Sequence, residues 1–164
     1  MYPYPLIRGG GLFLIVIGAM IIAGALLPKF RNRLVAVGLA LAGIITAIAA
    51  PSLARPLGVP TWQQILVLVG SVLLEMIVIQ VVVRYVYQRG ERTIILSVLL
   101  VVGLHFLPMA VAFGPIIAIL GILTVLNAVA GLWLRPNMNL STLWFFDGVL
   151  KLAGGIIMMM VVLR

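Results

Sequence analysis

Cysteine is missing from all 164 residues, which removes disulfides, thiolate metal sites and cysteine nucleophiles from consideration. Charge is nearly missing too. Only 9% of residues are charged, three of them acidic, while 65% are hydrophobic and the mean hydropathy is +1.33. A soluble domain of this length could not cover so much apolar surface with so few charges, so lipid must be the solvent. Catalytic signatures are sparse as well. No GxSxG occurs, and Ser52, Ser71, Ser97 and Ser141 have no paired base motif. One histidine and scattered carboxylates lack the spacing of metal ligands, so neither a metal nor a cofactor is expected.

Long apolar runs are what the chain does have. They are too continuous, and alternate too little, for barrel strands. Roughly 20 residues at about 1.5 Å rise span a ~30 Å hydrocarbon core as helix. Six spans are predicted: about 10–27 (ended by Pro28), 34–50 (ended by Pro51), 62–83, a fourth beginning near Thr93, 115–134 and 142–163. In the fourth, Pro108 is expected to break the helix, leaving 93–107 only about 22 Å long. "AGA" at 23–25 resembles a signal-peptide cleavage site, but the preceding apolar run is long and five more spans follow, so the first span is read as retained. The fold class is therefore all-α, one polytopic membrane domain of six transmembrane helices over residues 1–164.

The net charge of +8 would suggest nucleic acid in a soluble chain. Here the basic residues gather at span ends, where topology and anionic headgroups account for them, and no nucleic-acid partner is expected. Lys29, Arg31, Arg33, Arg84, Arg89, Arg92 and Arg135 fall on one side of a six-span chain. Arg8, Arg55 and Arg164 fall on the other. The positive-inside rule then puts both chain ends outside the cytoplasm, in a cell inner or plasma membrane. Tyr2, Tyr4, Trp62, Tyr85, Tyr87, Trp133 and Trp144 lie near predicted interfaces, as amphipathic aromatics should.

A shift of 80 residues aligns Gly10 with Gly90, "ALLP" (25–28) with "HFLP" (105–108), and "ARP" (54–56) with "LRP" (134–136). Halves 1–83 and 84–164 would then be three-helix repeats of opposite orientation. The basic "KFRNR" would correspond to the uncharged "MAVAFGP". Proline-interrupted segments at matching places are a pointer to transporter-type sites.

Five polar or ionisable residues interrupt the apolar spans: Glu75, His105, Asn127, Asp147 and Lys151. Gln64, Ser71 and Glu75, spaced by seven and four, share one stripe of the third span. Trp144, Asp147, Lys151, Gly154 and Met158 form a single seam on the sixth. Asp147 precedes Lys151 by four residues, the favourable order for a helical ion pair, which would neutralise itself near the interface. Gly121, Thr124, Ala128 and Gly131 on the fifth span, and Gly38, Ala42 and Ala49 on the second, are smooth strips for helix contact. Asn127 suits an interhelical hydrogen bond. His105, three residues before Pro108, could bond locally to a carbonyl that the proline frees. Glu75 has no opposite charge one turn away. It must be protonated, paired with Lys151 or His105 across helices, or wet.

Intramembrane ionisable groups point to function, so the chain reads first as a small transporter or channel-like protein centred on Glu75. In that reading His105, Asn127, Asp147 and Lys151 line the path, and Ser71 and Gln64 play a secondary part. The substrate, a small molecule or ion, is not readable. Six short helices leave little internal room, which makes a homodimer plausible. The alternatives are a non-catalytic scaffold with a structural polar cluster, and a lipid-directed enzyme using Glu75 or Asp147 as base.

Overall fold

In lipid no water is at hand to satisfy backbone N–H and C=O groups, so the chain must satisfy them within itself. The computed structural model, which describes residues 2–160, does so with six long helices: α1 (Ile7–Leu26), α2 (Arg31–Ala54), α3 (Trp62–Val86), α4 (Glu91–Phe113), α5 (Pro115–Val129) and α6 (Leu140–Met160). All six are long and apolar enough to span a bilayer once the short turns that extend α2, α3 and α5 are included. The expected end of the sixth span, and the charge of Arg164, lie outside the described residues.

The connections are tight. Pro28–Phe30 and Tyr87–Arg89 form 3-10 turns, and α5 finishes in a π turn over Ala130–Leu134. Gly90 and Gly114 carry φ of 91° and 87°, a backbone region that costs L residues energy, and each begins the next helix by reversing the chain. Pro115 then takes the first position of α5, where no N–H is needed. Thr61 opens α3 with a reciprocal cap. Its hydroxyl accepts from Gln64 N at 3.3 Å, and its own N–H donates to Gln64 Oε1 at 3.0 Å.

Two expectations need correction. α4 does not break at Pro108 but runs on to Phe113. Phe106 on one side of the proline, and Met109, Ala112 and Phe113 on the other, are all buried in the same core with Ile7, Ile117 and Leu120. That packing keeps the helix continuous across one missing backbone bond, a loss that transmembrane helices tolerate. α2 likewise passes through Pro51 and ends at Ala54.

α1, α4, α5 and α6 form the body, and α2 and α3 flank it. α1 packs on α6 and α2, α4 on α5 and α3, α5 on α6, and α1 touches α4. Helices meet here through close backbone approach, because lipid tails provide no hydrophobic drive between them. At the α1–α6 crossing a side chain added at Gly18 would sit 2.9 Å from the Gly148 carbonyl oxygen, and one at Gly148 would sit 3.0 Å from that of Gly18. Gly11 and Gly155 repeat the arrangement two turns away, and Gly103 and Gly121 do the same between α4 and α5. The expected strips behave differently. Gly121, Thr124, Ala128 and Gly131 are all buried, as are Gly38 and Ala42, while Ala49 is only half-buried.

α3 is inverted relative to a soluble helix. Its only buried residues are Gln64, Ser71 and Val86, while Leu66, Leu73, Leu74, Met76 and Ile77 face outward. The polar stripe read from the sequence is the face that docks.

Candidate functional site

Four helices bring polar atoms together in the middle of the bundle. Counted by helical rise, Glu75 and Lys151 lie about 16 Å from the basic ends of α3 and α6, Thr124 about 15 Å, His105 about 21 Å and Asp147 about 10 Å. α3 continues three residues past Val83, the end expected from hydropathy, which adds to the depth of Glu75.

Its partner is His105. The Glu75 Oε2 to His105 Nδ1 distance is 3.5 Å, and the same nitrogen lies 3.0 Å from the Ser71 carbonyl oxygen. A carbonyl only accepts, so His105 Nδ1 carries a hydrogen and donates it, shared between the helix backbone and the carboxylate. Ser71 and Glu75 are one helical turn apart, which aims both oxygens at the same imidazole. His105 thus does not bond locally beside Pro108; it joins α4 to α3. Phe106 follows with its ring centroid 5.8 Å from that of the imidazole.

Asp147 and Lys151 pair along α6 as their spacing predicts, and the pair is sealed inside the bundle. Both are buried, with side chains 0% and 5% exposed, and Lys151 does not snorkel to the surface. Its ammonium bonds Asp147 Oδ1 and stands 5.8 Å from the centre of the Phe106 ring, a cation–π contact. Thr124 on α5 donates to the same carboxylate oxygen at 3.4 Å. Asp147 Oδ2 is buried without a partner. Phe106 thus neighbours both pairs, its ring centre 5.8 Å from that of His105 and 5.8 Å from the Lys151 ammonium.

The remaining candidates lie outside this cluster. Asn127 donates to the Leu143 carbonyl at 2.9 Å, an α5–α6 link near the basic end. Gln64 caps α3 and donates to the carbonyls of Pro3 at 2.8 Å and Val111 at 3.4 Å, at the opposite end. Among the described residues no three His, Asp or Glu side chains gather as metal ligands would.

Arg31 escaped sequence reasoning altogether, as one of three charges in a basic loop. It is only 7% exposed, and its Nη2 donates to Ser141 on α6 at 3.0 Å. Trp144, expected at the interface, is half-buried with its ring beneath that guanidinium. Arg92 was similarly counted only for topology. It donates to the carbonyls of Met138 at 2.6 Å and Gly131 at 2.9 Å, tying α4 to the π turn and the loop after it.

Neither a curated protein nor a solved structure matches this chain. A family model covers nearly its whole length, residues 1–163, so the six-helix protein belongs to the family of unknown function DUF6609.

Proposed function

We propose that the protein is a small membrane transporter in which Glu75 and His105 hold and release a proton near mid-bilayer. The observation carrying this reading is that contact itself. An ionisable carboxylate on a flanking helix, 19% exposed, lies 3.5 Å from the one imidazole in the chain, and by helical rise both are about 12 Å or more from either end of their helices. Asp147 and Lys151 neutralise each other, so Glu75 and His105 together need one proton to be neutral overall. That proton can reside on either group without a change of net charge. Gain or loss of it charges the cluster by one unit, which hydrocarbon penalises strongly. Coupling proton exchange to movement of α3 would relieve that penalty.

The packing supports two inverted halves: α1 with α2 and α6 mirrors α4 with α5 and α3, although α5–α6 has no equally close α2–α3 counterpart. In this reading the basic end faces the cytoplasm of a cell's inner or plasma membrane. The wide outer faces of α2 and α3 give room for a second copy.

The test is proton flux into proteoliposomes carrying an internal pH dye, driven by an imposed potassium diffusion potential. Wild type is expected to pass protons, and E75Q to pass at least about tenfold fewer, since losing one essential proton-transfer group costs this much or more. Equal flux in the two proteins removes Glu75 from the reading. A non-catalytic scaffold is the second reading, favoured by the sealed Asp147–Lys151 pair. It predicts no flux in wild type and normal assembly of E75Q.

A further inference from the structure

At the basic end, α1, α2 and α6 enclose a set of hydrogen-bond donors with no acidic partner. Arg31 begins α2 and is 7% exposed. One of its five N–H groups goes to Ser141 Oγ, and its Nε is buried with no partner. Ser141 accepts that bond, so its own O–H remains a donor. Trp144 lies under the guanidinium, 5.9 Å from ring centre to Arg31 Cζ, and its Nε1 is also buried without a partner. Gly24 of α1 permits the convergence: a side chain there would sit 3.4 Å from Trp144 Nε1 and 3.4 Å from Arg31 Cα. The first turn of α2 contains no acid and its N-cap makes no side-chain bond. Among the described residues, neither ion pair includes Arg31.

An arginine taken out of water demands an acceptor, and stranded donors cost free energy unless something fills the place. The missing partner must be an acceptor with several lone pairs and negative charge. Guanidinium forks match phosphate oxygens bidentately, and indole N–H and serine O–H complete such a shell. Lys29 and Arg33, two positions before and after Arg31, are exposed and so serve as controls for its burial. We infer that Arg31, Ser141 and Trp144 form a binding site for a phosphate oxyanion, either an anionic phospholipid headgroup or a free phosphate. The site lies outside the Glu75–His105 cluster and does not rest on the transport reading.

The experiment is native mass spectrometry of the full chain in neutral detergent, titrated with phosphatidylglycerol, and separately with inorganic phosphate. Wild type should bind one phosphatidylglycerol, R31Q at least about tenfold more weakly, the usual effect of losing a charge-assisted hydrogen-bond pair. W144F, which removes one N–H and keeps the ring, should weaken binding a few-fold. K29Q should change it by less than about twofold. Inorganic phosphate that binds wild type and displaces the lipid identifies a free anion as ligand. Phosphate that does neither, while the lipid binds, identifies the headgroup with its acyl chains. Either result supports the site. Equal affinity in folded R31Q, or a loss in K29Q as large as in R31Q, overturns it. Should R31Q fail to fold, W144F decides, and unchanged affinity there overturns the proposal.

Discussion

Asp147 and Lys151 face each other where neither could stand alone. Removing one leaves the other as a buried uncompensated charge, so D147N or K151M should lower stability by about 3–5 kcal/mol. The double variant should lose less than either single change, because the stranded charge is gone. Thermal unfolding in detergent, compared across the four proteins, checks the sign. Asn127→Leu should cost less, about 0.6–2 kcal/mol, since it deletes one interhelical bond to the Leu143 carbonyl. Several of these roles were legible in the sequence because they depend on spacing along one helix. The four-residue step from Asp147 to Lys151 gave their pairing, and the steps of seven and four gave the buried face of Gln64, Ser71 and Glu75. Arg31 was not legible, since its partner Ser141 lies 110 positions away and no periodic pattern joins them. The pairing of His105 with Glu75 was among the options the sequence left open, but the local bond also expected of it does not form, for a related reason. The proline beside it suggested a local bond, whereas the deciding acceptor is a backbone carbonyl on another helix.

Helices in this protein touch where side chains are absent. At Gly18 an added methyl group would meet Leu152 N at 2.7 Å and the Gly148 carbonyl at 2.9 Å, both backbone atoms that cannot turn aside. Gly18→Ala should therefore push α1 from α6 and cost about 1–3 kcal/mol, as overpacking does. Gly70 on α3 offers the contrast, with nothing within 4 Å of the added group. Gly70→Ala should be neutral or stabilise by up to about 1 kcal/mol through helix propensity. Unfolding midpoints of the two variants should move in opposite directions, or only the first should move. The seven-residue steps Gly11–Gly18 and Gly148–Gly155 are present in the sequence, but so are other small-residue strips, and nothing local ranks one above another. Pro108 shows the same limit. A proline breaks a helix by default, and only the residues packed on both sides of it, from other helices, show why α4 continues.

At the scale of the whole molecule, the number and placement of the spans followed from hydropathy alone, to within a few residues at most ends. Packing order did not, because every span is apolar and each could in principle lie against any other. Orientation can be measured directly in this cysteine-free chain. In intact cells, an impermeant maleimide should label Val59→Cys at once, and Asn32→Cys only after permeabilisation, if the basic end is cytoplasmic. The reverse pattern would invert the assignment. α3, finally, rests chiefly on α4, and it does so with its polar stripe. Between soluble helices such a seam would be reinforced by water's aversion to oil, but acyl chains fill a parted seam as readily as leucines do. Besides its packing on α4, the bundle therefore holds this helix through a few directional bonds, Gln64 to the Pro3 and Val111 carbonyls and His105 to Ser71 and Glu75. Changing the protonation of the imidazole or the carboxylate would alter one of the few directional contacts that join α3 to α4.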